Sequence, residues 1–517
     1  MCIAAKNILL IKEISVKLSK SILTCAIAMA LSSAAYAQNT DKPSSTSALT
    51  NVERVTAQGN LLVISQTSIQ GLGNAASTLQ QGNSNQVEII TTGDGNETDA
   101  VQMGNGNLIL VTTYGDNNQQ SYTQDGEQNG ALTEVIGDSN QLSVVQNGAS
   151  FFGITNEVIN IINGDENDIT VTQDGDGNWF YNYNMQGSAN EVTAEQYGIW
   201  HEAKLYAIYG DENTIEIEQD GFWNQLTVNN ITGNMNELTS EQIGSYNEIS
   251  ITELYGDENE ISIEQNGDEN QVSIDSINGN ENNIEVEQRG NNNEFNSGVF
   301  TGNDNEVDSI QYGDDNIATA ELIGDENDML SVQNGNNNTT YFGVIGNNNE
   351  FISLQVGSDN IAHAVNFNGS NNDIEMVQTG DLNTAIIESS YPNTSIASNA
   401  NEIVISQNGY ANEATLSLSS IMESSNNQVD LAQNGELNAI DLMIEGLGNS
   451  IDIAQEGNFN LVAGISEGAF IVSGDENSVS ISQVGEGNLV EGSIMGSGNV
   501  ISVTQIGDFN SATVIQQ

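Results

Sequence analysis

Apolar and polar residues alternate with period two along short runs of this chain. From Asn259 to Gly267 the sequence reads Asn-Glu-Ile-Ser-Ile-Glu-Gln-Asn-Gly. Asn259, Ile261, Ile263 and Gln265 then share one face, and Glu260, Ser262 and Glu264 the other, as on a strand with one buried side. Asn213, Ile215, Ile217, Gln219 and Asn282, Ile284, Val286, Gln288 repeat the pattern. The runs last about seven residues between turns, which suits a strand and is short for a helix.

Each run leads into Gln-x-Gly-x-x-Asn. Copies start at Gln80, Gln102, Gln124, Gln173, Gln219, Gln242, Gln265, Gln288, Gln311, Gln333, Gln355, Gln378, Gln407, Gln433, Gln455, Gln483 and Gln505. In two further copies, at Gln146 and Gln196, Phe151 and His201 stand in place of the Asn. Neighbouring copies lie mostly 22 or 23 residues apart. Between them falls a second turn, Gly-x-x-Asn, as at Gly93–Asn96, Gly256–Asn259 and Gly279–Asn282. Such repetition predicts stacked repeats rather than a globular enzyme.

The turn residues have a physical reason. Gly adopts φ > 0 without steric cost and Asn tolerates it best among the rest. If each unit forms one coil, identical residues stack at about 4.8 Å, and Asn and Gln form amide ladders at the edges of a dry core. Turn formation alone does not account for a Gln six residues after each Asn. The expected ladder residues include Gln102, Gly104, Asn107; Gln219, Gly221, Asn224; Gln265, Gly267, Asn270; Gln288, Gly290, Asn293; and Gln505, Gly507, Asn510.

Composition adds an address and a charge. Lys6, Lys12, Lys17 and Lys20 precede an apolar run, Ser21 to Ala30, and Ala35-Tyr36-Ala37 offers a cleavage site. Residues 1–37 are read as a secretory signal peptide, leaving Gln38–Gln517 as the mature chain. Cys2 and Cys25 both fall in the signal, so no disulfide or thiolate metal site is expected. The mature chain keeps four bases (Lys42, Arg54, Lys204, Arg289) against 70 acids, that is 71 less Glu13, a formal charge of 4 − 70 = −66. Nucleic acid is therefore not an expected ligand. No later segment is apolar enough to span a membrane.

Residues 38–50 read as a flexible leader and 51–517 as the repeat domain, with loop insertions near 149–155, 384–400, 413–426 and 461–473. Gly-Asp-Glu-Asn occurs at Gly164, Gly210, Gly256, Gly267, Gly324 and Gly474. A solvated acidic rim is expected there; Ca²⁺ on these turns is the alternative, although the spacing of a calcium β-roll is missing. No cofactor is otherwise implied. Trp200, Trp223 and Tyr246 occupy one turn position in three consecutive units. They are expected to stack on one another; the alternative is an adhesive or sugar-binding strip. His201 and His363 are isolated, and no nucleophile constellation appears, so no enzyme is expected.

Gln-x-Gly-x-x-Asn every 22–23 residues, in a secreted chain rich in Gly, Asn and Gln, resembles the curlin repeat of curli, the amyloid fibres of bacterial biofilm matrix. The family pattern is Ser-x5-Gln-x-Gly-x-x-Asn-x5-Gln. Gln265, Gly267 and Asn270 match its centre, and the resemblance covers about residues 58–517. The Ser slot is usually Asn here, as at Asn259, and the second Gln is mostly absent. Only Asn510 to Gln516 restores it. The resemblance implies an all-β solenoid with two short strands per coil. About 19–20 coils would form a rod of roughly 90–95 Å. It further implies self-association into extracellular fibres of a Gram-negative bacterium, with a nucleator and an outer-membrane secretion channel as partners.

The final strand, Ser511 to Gln517, carries no acid and no Pro, and an uncovered edge of this kind invites another chain. A structural fibre subunit is thus the expected function, in biofilm, adhesion and surface attachment. The alternative is a monomeric acidic solenoid adhesin, with or without bound calcium. An ice-binding solenoid needs a regular Thr face that is missing here. A polysaccharide-cleaving β-helix needs longer coils and clustered acids and bases.

Overall fold

The computed structural model describes residues 59–148, 155–298, 300–389, 396–465 and 468–517. The expected signal peptide, the leader and Phe151 lie outside them. The described residues contain strands and turns and no helix. Each 22–23-residue unit makes one coil with two strands, as the alternation requires.

The strands form two parallel sheets. One carries the repeat glutamines in 19 strands, from Ala75–Gln81 to Val500–Ile506. The other, the partner sheet, runs from Leu61–Thr67 to Ser511–Gln516. Within each sheet a strand pairs with its equivalent one coil away. Gln265 lies beside Gln288 and Ile263 beside Val286, and in the partner sheet Val272 lies beside Phe295. A one-residue slip would turn every Ile outwards, so the period-two pattern pins the register.

Between the sheets lies a continuous dry core. Ile261 and Ile263 of the glutamine sheet and Val272 and Ile274 of the partner sheet are at most 2 % exposed. Phe295, Phe342, Phe351, Phe367 and Phe470 fill wider places in it.

The irregular coils keep the stack. Thr384–Ser389 and Glu413–Leu418 are partner-sheet strands paired with each other, so the expected loops at 384–400 and 413–426 start later than the sequence suggests. Both coils keep the turn that precedes the next glutamine strand. Ser398 and Ser424 take the glycine position, and their carbonyls accept hydrogen bonds from Asn372 and Asn401.

One stretch of core is polar. Thr133, Asn160 and Asn182 share an inward column over three consecutive coils. Asn160 and Asn182 are fully buried, and neither side-chain amide has a hydrogen-bond partner. The next residue in the column is Leu205. A buried polar group without a partner costs roughly 1–3 kcal/mol. Asn182→Leu is therefore expected to raise stability by about 1–3 kcal/mol, seen as a higher urea midpoint. A lower midpoint would show that the amide is satisfied, for instance by an internal water.

Candidate functional site: amide ladders, turns and stack ends

Every repeat glutamine points inward at the edge of the core. From Gln80 to Gln505 each Nε2 donates to the Oε1 of the next glutamine at 2.7–3.0 Å, without a break. The second N–H goes to a backbone carbonyl, as from Gln288 to Gln271 at 3.1 Å. Gln102, Gln219, Gln265 and Gln288 are fully buried, and Gln505 is 6 % exposed.

The asparagines run the opposite way. Asn270 Nδ2 donates back to Asn247 Oδ1 at 3.1 Å and forward to the Gly290 carbonyl at 2.8 Å. Its Oδ1 accepts from the backbone N–H and the Nδ2 of Asn293, both at 3.1 Å. Asn107 and Asn224 hold equivalent places, and Asn510 closes the series by donating to Asn488. An Asp there would lack the donors. The glycines of the motif have φ between 101° and 141° at Gly104, Gly221, Gly267, Gly290 and Gly507. A Cβ on Gly267 would collide with the Gly290 carbonyl. The coils thus meet backbone to backbone at this corner.

The turn differs from expectation in one respect. The Asn is not at positive φ; the residue before it is. Glu258, Glu269, Trp223, Tyr246, Leu382 and Phe459 all have φ between 55° and 61°. Asn is selected for its amide, and its neighbour carries the left-handed strain, about 1–2 kcal/mol for a non-glycine residue. The signal was present in the sequence, because Gly95, Gly106, Gly177, Gly448 and Gly487 occupy that slot in other coils.

A third ladder was missed. The aspartate of each Gly-Asp-Glu-Asn turn accepts the backbone N–H of the equivalent residue one coil earlier. Asp165 accepts from Asp138, Asp211 from Ser188, Asp257 from Asn234, Asp268 from Ser245, Asp325 from Asn303 and Asp475 from Leu447, at 2.7–2.9 Å. These carboxylates are turn caps. Among the described residues, no group of three or more His, Cys, Asp or Glu could hold a metal ion.

His201 replaces an Asn within the ladder. Its backbone N–H donates to Asn178 Oδ1, its Nδ1 lies 3.3 Å from the backbone N–H of Asn224, and its Nε2 lies 3.0 Å from the Tyr197 carbonyl. This needs the neutral ring with the proton on Nε2. Burial pushes its pKa below the ordinary value, against smaller upward pulls that include the Asp220 charge.

The expected aromatic ladder forms and is larger. Trp200 meets Trp223 edge-on at 5.3 Å, and Trp223 stacks on Tyr246 at 5.9 Å. Phe222 packs against all three. Trp223 and Tyr246 remain 40 % and 50 % exposed. A second row, Trp179, Tyr181, Tyr183 and Tyr206, stacks on the partner sheet.

Outside the core, in-register stacking aligns like charges. Glu195, Glu218, Glu241, Glu264 and Glu287 make one outward column. Burial raises the Glu218 pKa, and the charges of Glu241 and Glu195 raise it further. Asp308 is pushed up to about 6, chiefly by burial and then by Glu306 and Glu285.

Two outcomes are expected from the ladders. Gln265→Leu orphans a buried donor and a buried acceptor and should lower stability by about 2–6 kcal/mol. Gln505→Leu, at the open end, should cost less than half as much. Urea unfolding of the two variants checks this, and equal losses would contradict it. A base whose native pKa is depressed contributes stability above its ordinary value near 6.5, lost as pH falls. Amide protection factors around residues 178–224 should therefore fall between pH 7 and 5, and His201→Asn should remove that fall.

Three stretches of the chain match the family model of the curlin associated repeat: residues 187–221, 256–290 and 474–517. Comparison with curated proteins found no match. The matched stretches fall in the same coils as Gln219, Gln265, Gln288 and Gln505, inside one unbroken ladder. In these three stretches the chain carries curlin associated repeats, and the two-strand coil on which they fall continues along the rest of the ladder.

Proposed function

We propose that this protein is a structural subunit that stacks end to end into an extracellular curli-like fibre. One observation carries the reading: the four strands that bound the stack are uncharged, in a chain of net charge −63. They are Leu61–Thr67 and Ala75–Gln81 at one end, and Val500–Ile506 and Ser511–Gln516 at the other. Among the described residues each pairs with a neighbour on one side only. Val500, Ile506 and Ile515 are 80 %, 76 % and 59 % exposed.

The ends also match. Among the described residues, Gln505 donates to no further glutamine and Gln80 accepts from none. Set head to tail, Ser511–Gln516 meets Leu61–Thr67 and Asn510 meets Asn60, so the partner sheet and its Asn ladder continue across the joint. Assembly in biofilm matrix, export through a dedicated outer-membrane channel and growth from a nucleator follow the curlin resemblance.

A second reading, a monomeric adhesin, draws on the exposed Trp223–Tyr246 stack. It expects a soluble rod whose attachment to cells is lost on replacing Trp200, Trp223 and Tyr246 with Ala.

The fibre reading expects purified Gln38–Gln517 to form thioflavin-positive fibres with a 4.7–4.8 Å reflection. Gln505→Lys with Asn510→Lys places two charges on the open ladders and should lengthen the lag at least tenfold while the monomer stays folded. Persistently monomeric wild-type protein at high salt would sink the reading. Carboxylates with raised native pKa, such as Asp308, destabilise the stack while ionised, and this loss shrinks as pH falls below about 6 and is gone near the ordinary value of 3.8. Fibre formation should accordingly be faster at pH 5 than at pH 7; a slower rate would show that histidine protonation dominates.

A further inference from the structure

The outward face of the glutamine sheet changes character along the rod. Beside Glu195 to Glu287 it is acidic, and beyond Gln407 its central column is small: Ser406, Ala432, Ala454 and Ser482. Between these zones it is apolar, with Asp308 and Glu375 closing the column of Leu330 and Ile352 at either end. Ile310, Val332, Leu354 and Val377 form one outward column, and Leu330 and Ile352 stand beside it. All six are half-buried by their neighbours in the sheet. Stacking does not require them, since other coils place Glu or Ser at the same positions.

The strip has unlike edges. At the start of these strands stand Glu306, Asp328, Glu350 and Asp373. At the far side stand Tyr312, Asn334 and Val356, the last 49 % exposed. Arg289 sits one coil before Tyr312, with its guanidinium 5.7 Å from the ring centre. One edge is therefore anionic. The other holds phenol, amide and, among the described residues, the one cation on this face, which is itself paired with Glu264 and Glu287.

We propose that this strip is the contact through which two copies of the chain lie side by side, rods parallel and strands antiparallel. Two ways of laying the face on itself keep the rods aligned. A twofold axis along the strands makes the rods antiparallel and sets carboxylate against carboxylate. A twofold along the rod keeps the axial level, reverses the strands and sets each acidic edge against the neutral edge of the other copy. Like charges directly opposed are unfavourable, which selects the second arrangement. It is also the one that lets both filaments elongate in the same direction.

The size of the strip sets when it acts. Four strands at about 4.8 Å and a width of about 20 Å give on the order of 400 Å² per copy. The total, about 800 Å², lies below the 1,200 Å² or so of a standard stable interface. Isolated monomers should pair weakly. In a fibre the patch recurs once per subunit, and linked patches act together. This avidity rests on the fibre reading above; the pairing geometry does not.

The mature chain has no cysteine of its own, so engineered thiols report the geometry directly. Glu350→Cys mixed with Val356→Cys should form a disulfide-linked dimer under mild oxidation, in soluble protein at high concentration and in fibres. Either variant alone should give at least fivefold less. Equal yield from Glu350→Cys alone would overturn the proposed orientation, and no cross-link in either form would overturn the contact. Fibre width gives a second readout: Leu354→Glu fibres should keep the 4.7–4.8 Å reflection yet have the width of one rod. Wild-type fibres of single-rod width would refute the pairing and leave the fibre reading standing, whereas absence of fibres would refute only that reading. Binding of a basic amphipathic peptide to wild-type but not Leu354→Glu protein, without any cross-link, would assign the strip to a foreign partner.

Discussion

Parallel in-register stacking places each side chain about 4.8 Å from its own equivalent, and every other feature of the molecule answers to that constraint. A residue at a repeat position must be able to bond to a copy of itself. Primary amides can, because each carries donors and an acceptor. Carboxylates cannot, and a lone hydroxyl does so less completely. This is why Gln and Asn hold the buried polar positions and why the glutamine ladder runs from Gln80 to Gln505 without substitution. His201 shows how narrow the tolerance is. It enters the ladder only as a neutral ring that presents Nδ1 where an amide oxygen would be.

The same constraint makes charge expensive, since an acid at a repeat position faces its copies above and below. Stacked exposed carboxylates repel by about 1 kcal/mol in water, less with salt. A buried Ile or Val contributes roughly 1.5–3 kcal/mol, and each coil buries several. The core therefore carries the acids, at a cost visible in the raised pKa values of Glu218 and Asp308. The turn aspartates escape part of this cost by accepting backbone N–H groups from the neighbouring coil, so their charge helps hold the corner together.

Most of the architecture was legible in the sequence because the constraint writes itself out in every coil. The strands, their inward face, the two-turn unit and the amide positions all follow from period two and the spacing of Gln and Asn. The left-handed slot was obscured because many residue types occupy it, Trp223 and Leu382 among them, and only scattered glycines mark it. The aspartate ladder was hidden behind a plausible alternative, since an acidic turn reads equally well as a solvated rim. Asn160 and Asn182 look like any repeat asparagine until their inward, unpaired placement is seen. The turns at Ser398 and Ser424 were overlooked because a search for Gly-x-x-Asn does not find Ser in the first position.

Charge also divides the surface into roles. If the acids served solubility alone, the strands at both ends of the stack would be as well placed for them as any other. Instead those strands are neutral, and along the glutamine face the acids between Ile310 and Val377 keep to one edge and to the two ends of the strip. Repulsion thereby blocks the antiparallel and misaligned contacts that a ladder-rich surface would otherwise permit. Two directions remain open, one along the rod axis and one across a single face. The opposed Gln and Asn ladders give the axial contact a head and a tail, and the unlike edges of the apolar strip allow the lateral contact only when heads point the same way. One arrangement of charge would thus make the proposed growth and the proposed bundling mutually compatible.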